Sequence, residues 1–391
     1  MSAQETPFGN YQYEIYLAGM ADQAPELPVS WADWEAAAAE KLDAGPYGYL
    51  FGGAGTEDTM RANLEAFRRR RIVPRMLRDV SERDLSTEVL GTPMPAPVAL
   101  APVGVQSILH PEGELASARA AAGLGVPVVA STAGSHTMEE IAEACGEGRR
   151  WYQLYWPRGP ELAASFVGRA EQAGYEAILV TLDTWLLGWR PRDLSQGYLP
   201  FLKSVGIANY LADPVFRSML DKPPEEDPQA AVGQFVGVFS NPTVTWDDLA
   251  WLRAQTELPI VLKGVLHPDD ARRGLECGVD GILVSNHGGR QVDGAIGSLD
   301  ALPAIVDAVG DRTTVLLDSG VRSGADALKA VALGAQAVLL GRPAMWGLAV
   351  AGEEGVRTVL RSFLAELDLS LALSGYTSID EVGPEALAPA R

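Results

Sequence analysis

The chain is short of the residues that build metal sites and disulfide frameworks: 391 residues include only two cysteines and four histidines. Cys145 and Cys277 lie 132 residues apart, with no CxxC and no neighbouring histidine cluster, so neither a disulfide framework nor a metal site is expected. They read as ordinary buried thiols. Positive charge is also scarce, with 31 Lys and Arg against 51 Asp and Glu and a formal net charge of −20. Nucleic-acid binding needs clustered cations, so that class of partner is excluded. No apolar run approaches the ~18 to 20 residues of a membrane span. The opening MSAQETPFGNYQYEIY has neither the basic end nor the apolar core of a signal peptide, so a cytoplasmic protein with no membrane partner is expected.

What is present is an apolar fraction of 47%, charged residues at 21%, and a repeating pattern from Pro97 onward. Short apolar runs recur, each followed by a segment with helical spacing. They are 97–104 (PVALAPVG), 126–132 (VPVVAST), 151–155 (WYQLY), 177–183 (AILVTLD), 258–264 (LPIVLKG), 281–286 (GILVSN), 313–319 (TTVLLDS) and 337–341 (AVLLG). Their starts are separated by 29, 25, 26, 81, 23, 32 and 24 residues, so six of the seven steps share a period and one carries an excursion. Eight such runs predict an α/β fold of the (β/α)8 TIM-barrel type, with a doubly wound sheet as the alternative. Val, Ile, Leu and Ala dominate the runs, as in parallel strands buried on both faces. The intervening HPDDARRGLECG and GADALKAVALG carry Asp or Pro at the start and Gly after the end, as helices do.

The first 96 residues read as a helical lead-in, with WADWEAAAAEKL a helix and GPYGYLFGGAG a glycine-rich break after it. The excursion at 192–245 combines an aromatic first half with the charged DKPPEEDPQ. It reads as a partly ordered lid, the alternative being a disordered insertion.

In such a barrel, chemistry sits at the carboxyl ends of the strands. In order these ends carry Gly104, Ser131, Gln153 with Tyr155, Thr181 with Asp183, Lys263, His287, Asp318, and Gly341 with Arg342. His110, His136 and His267 stand at helix starts, where a cap or loop role is the plain reading. His287, in SNHGGRQ, directly follows the sixth run between Asn286 and two glycines and is the candidate base. Asp183 is placed to orient it, and Arg190 and Arg290 to hold a substrate carboxylate. LDSGVRSGAD and LLGRPAMWG after the seventh and eighth runs form a candidate phosphate cradle built on Ser319, Gly320, Arg322, Gly341 and Arg342. With Lys263 able to offset negative charge on a ring, these features imply a phosphorylated planar cofactor at the barrel mouth.

SNHGGRQ, LDSGVRSGADALKAVALGAQAVLLGRP, YQLYWP, TLDTWLLGWRPRD and RANLEAFRRRRIVPRML together resemble the FMN-dependent 2-hydroxy acid oxidising enzymes, from about Tyr11 to Ser378. Within that family GWRPRDL, the extended amino terminus and the long excursion look most like the lactate 2-monooxygenases. The resemblance implies one domain over residues 1–391: lead-in 1–96, barrel 97–350 with lid loop 192–245, and a C-terminal helical segment 351–391. It implies FMN as cofactor, with Ala101, Pro102, Val103, Gly104, Ser131, Gln153, Thr181 and Ser285 around its ring and ribityl chain. Lys263 would face the flavin N1 edge, Asp318 the ribityl hydroxyls, and Gly320, Arg322, Gly341 and Arg342 the phosphate. His287 becomes the base, Asp183 its partner, Arg190 and Arg290 the carboxylate clamp, and Tyr49 and Tyr155 hydrogen-bond donors to substrate. Ala133 stands where glycolate-type members carry a bulky aromatic residue, leaving lactate and larger 2-hydroxy acids as candidates.

The implied partners are a small 2-hydroxy acid and O2, and the implied assembly is a homo-oligomer, tetramer or octamer. The implied reaction is oxidation of L-lactate to acetate, CO2 and water, with the lid loop setting how long the keto acid stays. The alternatives are an oxidase that releases keto acid and hydrogen peroxide, and a non-catalytic flavin-binding barrel.

Overall fold

The computed structural model describes residues 7–390. Its centre is a closed barrel of eight parallel strands: β1 (Val98–Leu100), β2 (Val128–Ser131), β3 (Arg150–Leu154), β4 (Ile178–Thr181), β5 (Ile260–Val265), β6 (Gly281–Val284), β7 (Thr314–Leu317) and β8 (Ala337–Leu340). The ring closes where β8 pairs with β1, Val338 opposite Val98. Each apolar run of the sequence holds one strand. The helices that follow are α1 (Gly113–Ala122), α2 (Met138–Cys145), α3 (Pro160–Gln172), α4 (Asp248–Arg253), α5 (Pro268–Glu276), α6 (Ser298–Val309), α7 (Gly324–Ala332) and α8 (Arg342–Leu373). Their ends follow the expected chemistry. The His267 side chain accepts from Asp269 N at the start of α5, Ser323 accepts from Asp326 N at the start of α7, and Gly278 and Gly334 take positive φ after the last turns.

Side chains alternate along a strand, and that period places the site. Ala99, Val129, Trp151, Leu179, Val261, Leu283, Leu316 and Leu339 form one buried cluster inside the barrel. Two residues further along the same strands, and so facing the same way, come Ala101, Ser131, Gln153, Thr181, Lys263, Ser285, Asp318 and Gly341. The interior is thus apolar below and polar at its carboxyl end. A hairpin of Thr87–Val89 and Thr92–Met94 plugs the opposite end: Val89 and Met94 join the interior cluster, and Trp151 Nε1 donates to Thr92 Oγ1 at 3.0 Å.

Three segments differ from the sequence reading. The stretch expected as a glycine-rich break is a helix, Ala44–Phe51, whose glycines serve close approach: a Cβ on Gly48 would sit 3.4 Å from the Arg192 backbone. The excursion is folded, with helices Pro191–Ser195, Ala208–Ala212, Pro214–Ser218 and Pro228–Phe239 and a 3-10 turn Pro200–Lys203. Its aromatic residues make a small core, Tyr210 to Phe235 at 4.9 Å and Phe235 to Phe239 at 5.0 Å between ring centres. Buried Asp213 pins it to α3 through Arg169 at 3.0 Å. The segment expected to be helical to residue 391 leaves the helix after Leu373, because Gly375 takes φ +82°. Leu387–Pro389 then pairs antiparallel with Arg70–Ile72 of the lead-in. No helix among the described residues is long and apolar enough to cross a membrane.

Helix α8 kinks at Ala351 and Gly352, and its two arms cross so closely that a Cβ on Gly355 would collide with the Gly347 carbonyl. Overpacking of this kind costs about 1–3 kcal/mol. Gly355→Ala is expected to lower the melting temperature by several degrees, and an unchanged value would mean that the crossing opens freely.

Candidate active site

At the end of β6 the backbone takes three consecutive left-handed conformations, His287 at φ +58°, Gly288 at +64° and Gly289 at +76°. Two of the three are glycines, for which this is cheap, but histidine is strained there by about 1–3 kcal/mol. The turn is held by hydrogen bonds: His287 N donates to Ser285 Oγ at 3.1 Å, Gly288 N to Ser319 Oγ at 2.9 Å, and Gly289 N to Asn286 Oδ1 at 3.1 Å.

This strained turn sets the imidazole against Asp183, with Nδ1 2.7 Å from Oδ1. The carboxylate assigns the proton to Nδ1 and leaves the Nε2 lone pair free, 3.4 Å from the Tyr155 hydroxyl. Burial holds the His287 pKa below the ordinary histidine range, opposed in part by Asp183. Burial alone would raise the Asp183 carboxyl, but Lys263 and His287 hold it well below the usual carboxylate range. Lys263 Nζ lies 3.7 Å from Asp183, 3.5 Å from Asp318 and 3.0 Å from Ser285 Oγ. Burial would depress its ammonium, yet the two carboxylates keep it above the ordinary lysine range.

Arg190 and Arg290 converge beside this dyad. Arg190 Nε donates to the Arg290 carbonyl at 3.0 Å and Nη2 to Gln291 Oε1 at 2.7 Å; burial, with Arg290 beside it, pulls its pKa to about 10. Arg290 lies 4.6 Å over the Tyr49 ring and donates Nη1 to Gly52 O at 2.9 Å. Its Nη2 is buried without a hydrogen-bond partner, an unspent donor of the kind a carboxylate satisfies. On the far side stand Arg322, 5.4 Å over the Trp346 ring, and Arg342, which donates to the carbonyls of Leu50, Gly52 and Gly288. Burial lowers both pKa values, and neither has a carboxylate within ion-pair distance among the described residues.

An open cavity is shared by Arg290, Arg322 and Arg342, its walls completed by Tyr49, Ala101, Pro102, Val103, Gly104, Ala133, Tyr155, Lys263, His287, Asp318, Gly320 and Gly341. Ser131, Gln153 and Thr181 are buried at the strand ends but turned on one another: Ser131 Oγ donates to Gln153 Oε1 and Gln153 Nε2 to Thr181 Oγ1, each at 2.8 Å. The structure therefore brings the sequence's candidates to one place. It adds Thr184, whose hydroxyl touches both Asp183 and His287, and Gln291, which aligns Arg190. Both lie inside the motifs TLDTWLLGWRPRD and SNHGGRQ, but neither was singled out as a site residue. The other histidines stay apart from the site: His267 caps α5, His110 accepts from Glu112 N, and His136 pairs with Glu114 at 3.1 Å.

A family model described as FMN-dependent dehydrogenase matches residues 38–389. An L-lactate oxidase of Lysinibacillus sphaericus is 47% identical over 367 residues, 94% of this chain and 94% of that protein. An FMN-dependent alpha-hydroxy acid dehydrogenase of Penicillium citrinum is 44% identical over 384 residues, 97% of this chain and 96% of that one. The crystal structure of a mandelate oxidase superposes with TM-score 0.82 at 42% identity, covering 93% of this chain and 99% of its own. The cavity fits FMN. Two half-buried guanidiniums without carboxylate partners suit a phosphate, and a Cβ on Gly341 would meet nothing nearer than Ala101 at 3.8 Å, so the cradle is open. Arg322→Met is expected to weaken FMN retention about 10- to 100-fold, the cost of one charged hydrogen bond, as measured by fluorescence of released flavin. Unchanged retention would move the phosphate elsewhere.

Proposed function

The chain belongs to the FMN-dependent dehydrogenase family and is an FMN-dependent oxidoreductase of 2-hydroxy acids; within that activity we propose that it converts L-lactate and O2 to acetate, CO2 and water. The observation that carries the catalytic assignment is the His287–Asp183 pair at 2.7 Å with two arginines beside it. Arg190 and Arg290 bind the substrate carboxylate, and Tyr49 and Tyr155 donate to its oxygens. Nε2 of His287 takes a proton from the substrate, and Asp183 stabilises the imidazolium that results. Burial keeps the two tyrosines, the base and the clamp away from bulk water, which strengthens each of these contacts.

FMN, when bound, supplies the two-electron acceptor. Arg322, Arg342, Gly320 and Gly341 would hold its phosphate, Asp318 its ribityl hydroxyls, and Lys263 the N1 edge of its ring. The backbone from Ala101 to Gly104, with Ser131, Gln153, Thr181 and Ser285, would complete the ring and ribityl contacts. We take residues 1–391 as one domain, working in the cytoplasm as a homo-oligomer with O2 as second substrate.

The lid supports retention of the keto acid. Phe201 lines the cavity and packs on Phe239 at 5.5 Å, and Phe239 packs on Tyr155 at 5.2 Å, so the excursion closes directly on the site. Retained pyruvate would be decarboxylated by the peroxide formed beside it. The second reading, an oxidase releasing pyruvate and hydrogen peroxide, draws on the lactate oxidase relative. Aerobic turnover of L-lactate is expected to give acetate with little peroxide, and Phe201→Ala to shift product toward pyruvate and peroxide. Stoichiometric peroxide from the unmodified enzyme would establish the oxidase instead. Because His287 must be unprotonated and its pKa is depressed, kcat/KM is expected to be flat near neutrality and to fall only as pH drops below the ordinary histidine value of about 6.5.

A further inference from the structure

The lead-in helix Asp58–Arg68 carries a buried asparagine on the face it presents to the barrel. Asn63 is 2% exposed, and its amide forms a reciprocal pair with that of Asn286: Asn63 Nδ2 donates to Asn286 Oδ1 at 2.8 Å, and Asn286 Nδ2 donates to Asn63 Oδ1 at 2.7 Å. Both bonds are inside the protein, so neither amide has water as an alternative partner. Asn286 immediately precedes the strained His287 and accepts from Gly289 N, so the pair fixes both ends of the left-handed turn. Asn63 Oδ1 also accepts from Ser298 N at 3.0 Å, at the first turn of α6.

The same residue reaches the other half of the site. Gly320, in the loop after β7, takes φ +91°, and a Cβ there would lie 2.9 Å from the Asn63 Cβ and 3.0 Å from its carbonyl oxygen. The cradle loop therefore rests on the Asn63 backbone. Around it the helix is clamped: Asp293, beyond the His287 turn, accepts from Asp58 N at 2.7 Å and Thr56 N at 2.5 Å, and Thr59 Oγ1 donates to the Val292 carbonyl at 2.8 Å. A helix outside the barrel is thus hydrogen-bonded to the loop after β6 and packed against the loop after β7.

We propose that Asn63 is a positioning residue, whose amide sets the His287 turn through Asn286 and the phosphate-cradle loop through Ser298, which donates Oγ to the Ser319 carbonyl at 2.8 Å. Its amide bonds to no residue that lines the cavity, and the inference rests on the reading of His287 as the base. A strained turn keeps its geometry only while its surroundings over-determine it. Loss of the amide leaves Asn286 half satisfied and frees the turn to relax, and a displacement of 1 Å at a catalytic group costs up to ~10²-fold in rate.

The test compares Asn63→Ala with Phe67→Leu, a core change one turn along the same helix at a residue that makes no hydrogen bond to the His287 turn. In the holoenzyme, kcat and KM for L-lactate are measured across pH, together with FMN released on dilution and the melting temperature. For Asn63→Ala, kcat is expected to fall ~10- to 100-fold with a smaller change in KM, FMN to be released more readily, and the acid limb to move up toward pH ~6.5 as water reaches the imidazole. The groups facing His287 on every side, Asp183, Lys263, Arg190 and Tyr155, are unchanged in this variant, so the shift reports the turn itself. Phe67→Leu is expected to lower the melting temperature while leaving pH profile and FMN release alone.

Equal effects of the two variants at equal loss of melting temperature would overturn the proposal, as would an unaltered pH profile and FMN release in Asn63→Ala. If the alanine variant fails to fold, Asn63→Asp serves. It keeps the size and both acceptor bonds but as a carboxylate cannot donate to Asn286 Oδ1, and the same shifts in reduced size are expected, with none at all counting against the idea. His287→Asn separates the two levels. Full turnover in that variant would remove the base assignment itself, whereas loss there with no effect at Asn63 would remove only the positioning role.

Discussion

Asp183 is the residue on which the rest of the site depends. A buried carboxylate is costly unless it is paired and hydrogen-bonded, and this one has His287 at 2.7 Å, Thr184 at 2.9 Å and Lys263 at 3.7 Å. Its charge does two things at once. It fixes the imidazole tautomer so that Nε2 is the free base, and it retains a charged lysine on the cofactor side of the mouth. The backbone makes room for it: β5 has a register irregularity between Lys263 and Val265, and Gly264, at φ +103°, is where a Cβ would lie 2.8 Å from the Asp183 side chain. A residue other than glycine there would push the carboxylate off its partners.

Around this centre the charge balance runs opposite to that of the whole chain. Lys263, Arg190, Arg290, Arg322 and Arg342 gather at a mouth where Asp183, Asp193 and Asp318 are the carboxylates within ion-pair distance of them among the described residues. A protein with a formal charge of −20 thus presents a cationic pocket that suits two anions, a phosphate on one side and a carboxylate on the other. Asp193 sits 3.7 Å from Arg290 Nη2 on the first helix of the folded excursion, so the lid is tied electrostatically to the arginine pair as well as through Phe201 and Phe239.

Much of this was legible in the amino-acid order because the barrel converts a period of two into a map. Once Val261 and Leu283 are placed inward, Lys263 and Ser285 must face the mouth, and the residues just past the strand ends, His287 and Arg342, follow. Tyr49 was found by resemblance, but its helix was not, because AGPYGYLF is rich in residues that break isolated helices and is held by packing against Arg192. The order of the excursion was hidden for a similar reason, since its short helices depend on the Tyr210, Phe235 and Phe239 cluster rather than on local propensity. Asn63 left a faint signal, a polar residue on the same helical face as buried Thr59, Ala66 and Phe67, but its partner lies 223 positions away.

The central claim is that the Asp183 charge makes His287 an effective base. The direct measurement is the rate at which L-lactate bleaches the bound flavin without oxygen, in the native enzyme and in Asp183→Asn with flavin content matched. The account predicts bleaching slower by ~10³-fold or more in the variant, with lactate binding retained, because the imidazolium loses its counter-charge and its tautomer is no longer fixed. A variant that bleaches within about threefold of the native rate, a difference of under 1 kcal/mol, would contradict it.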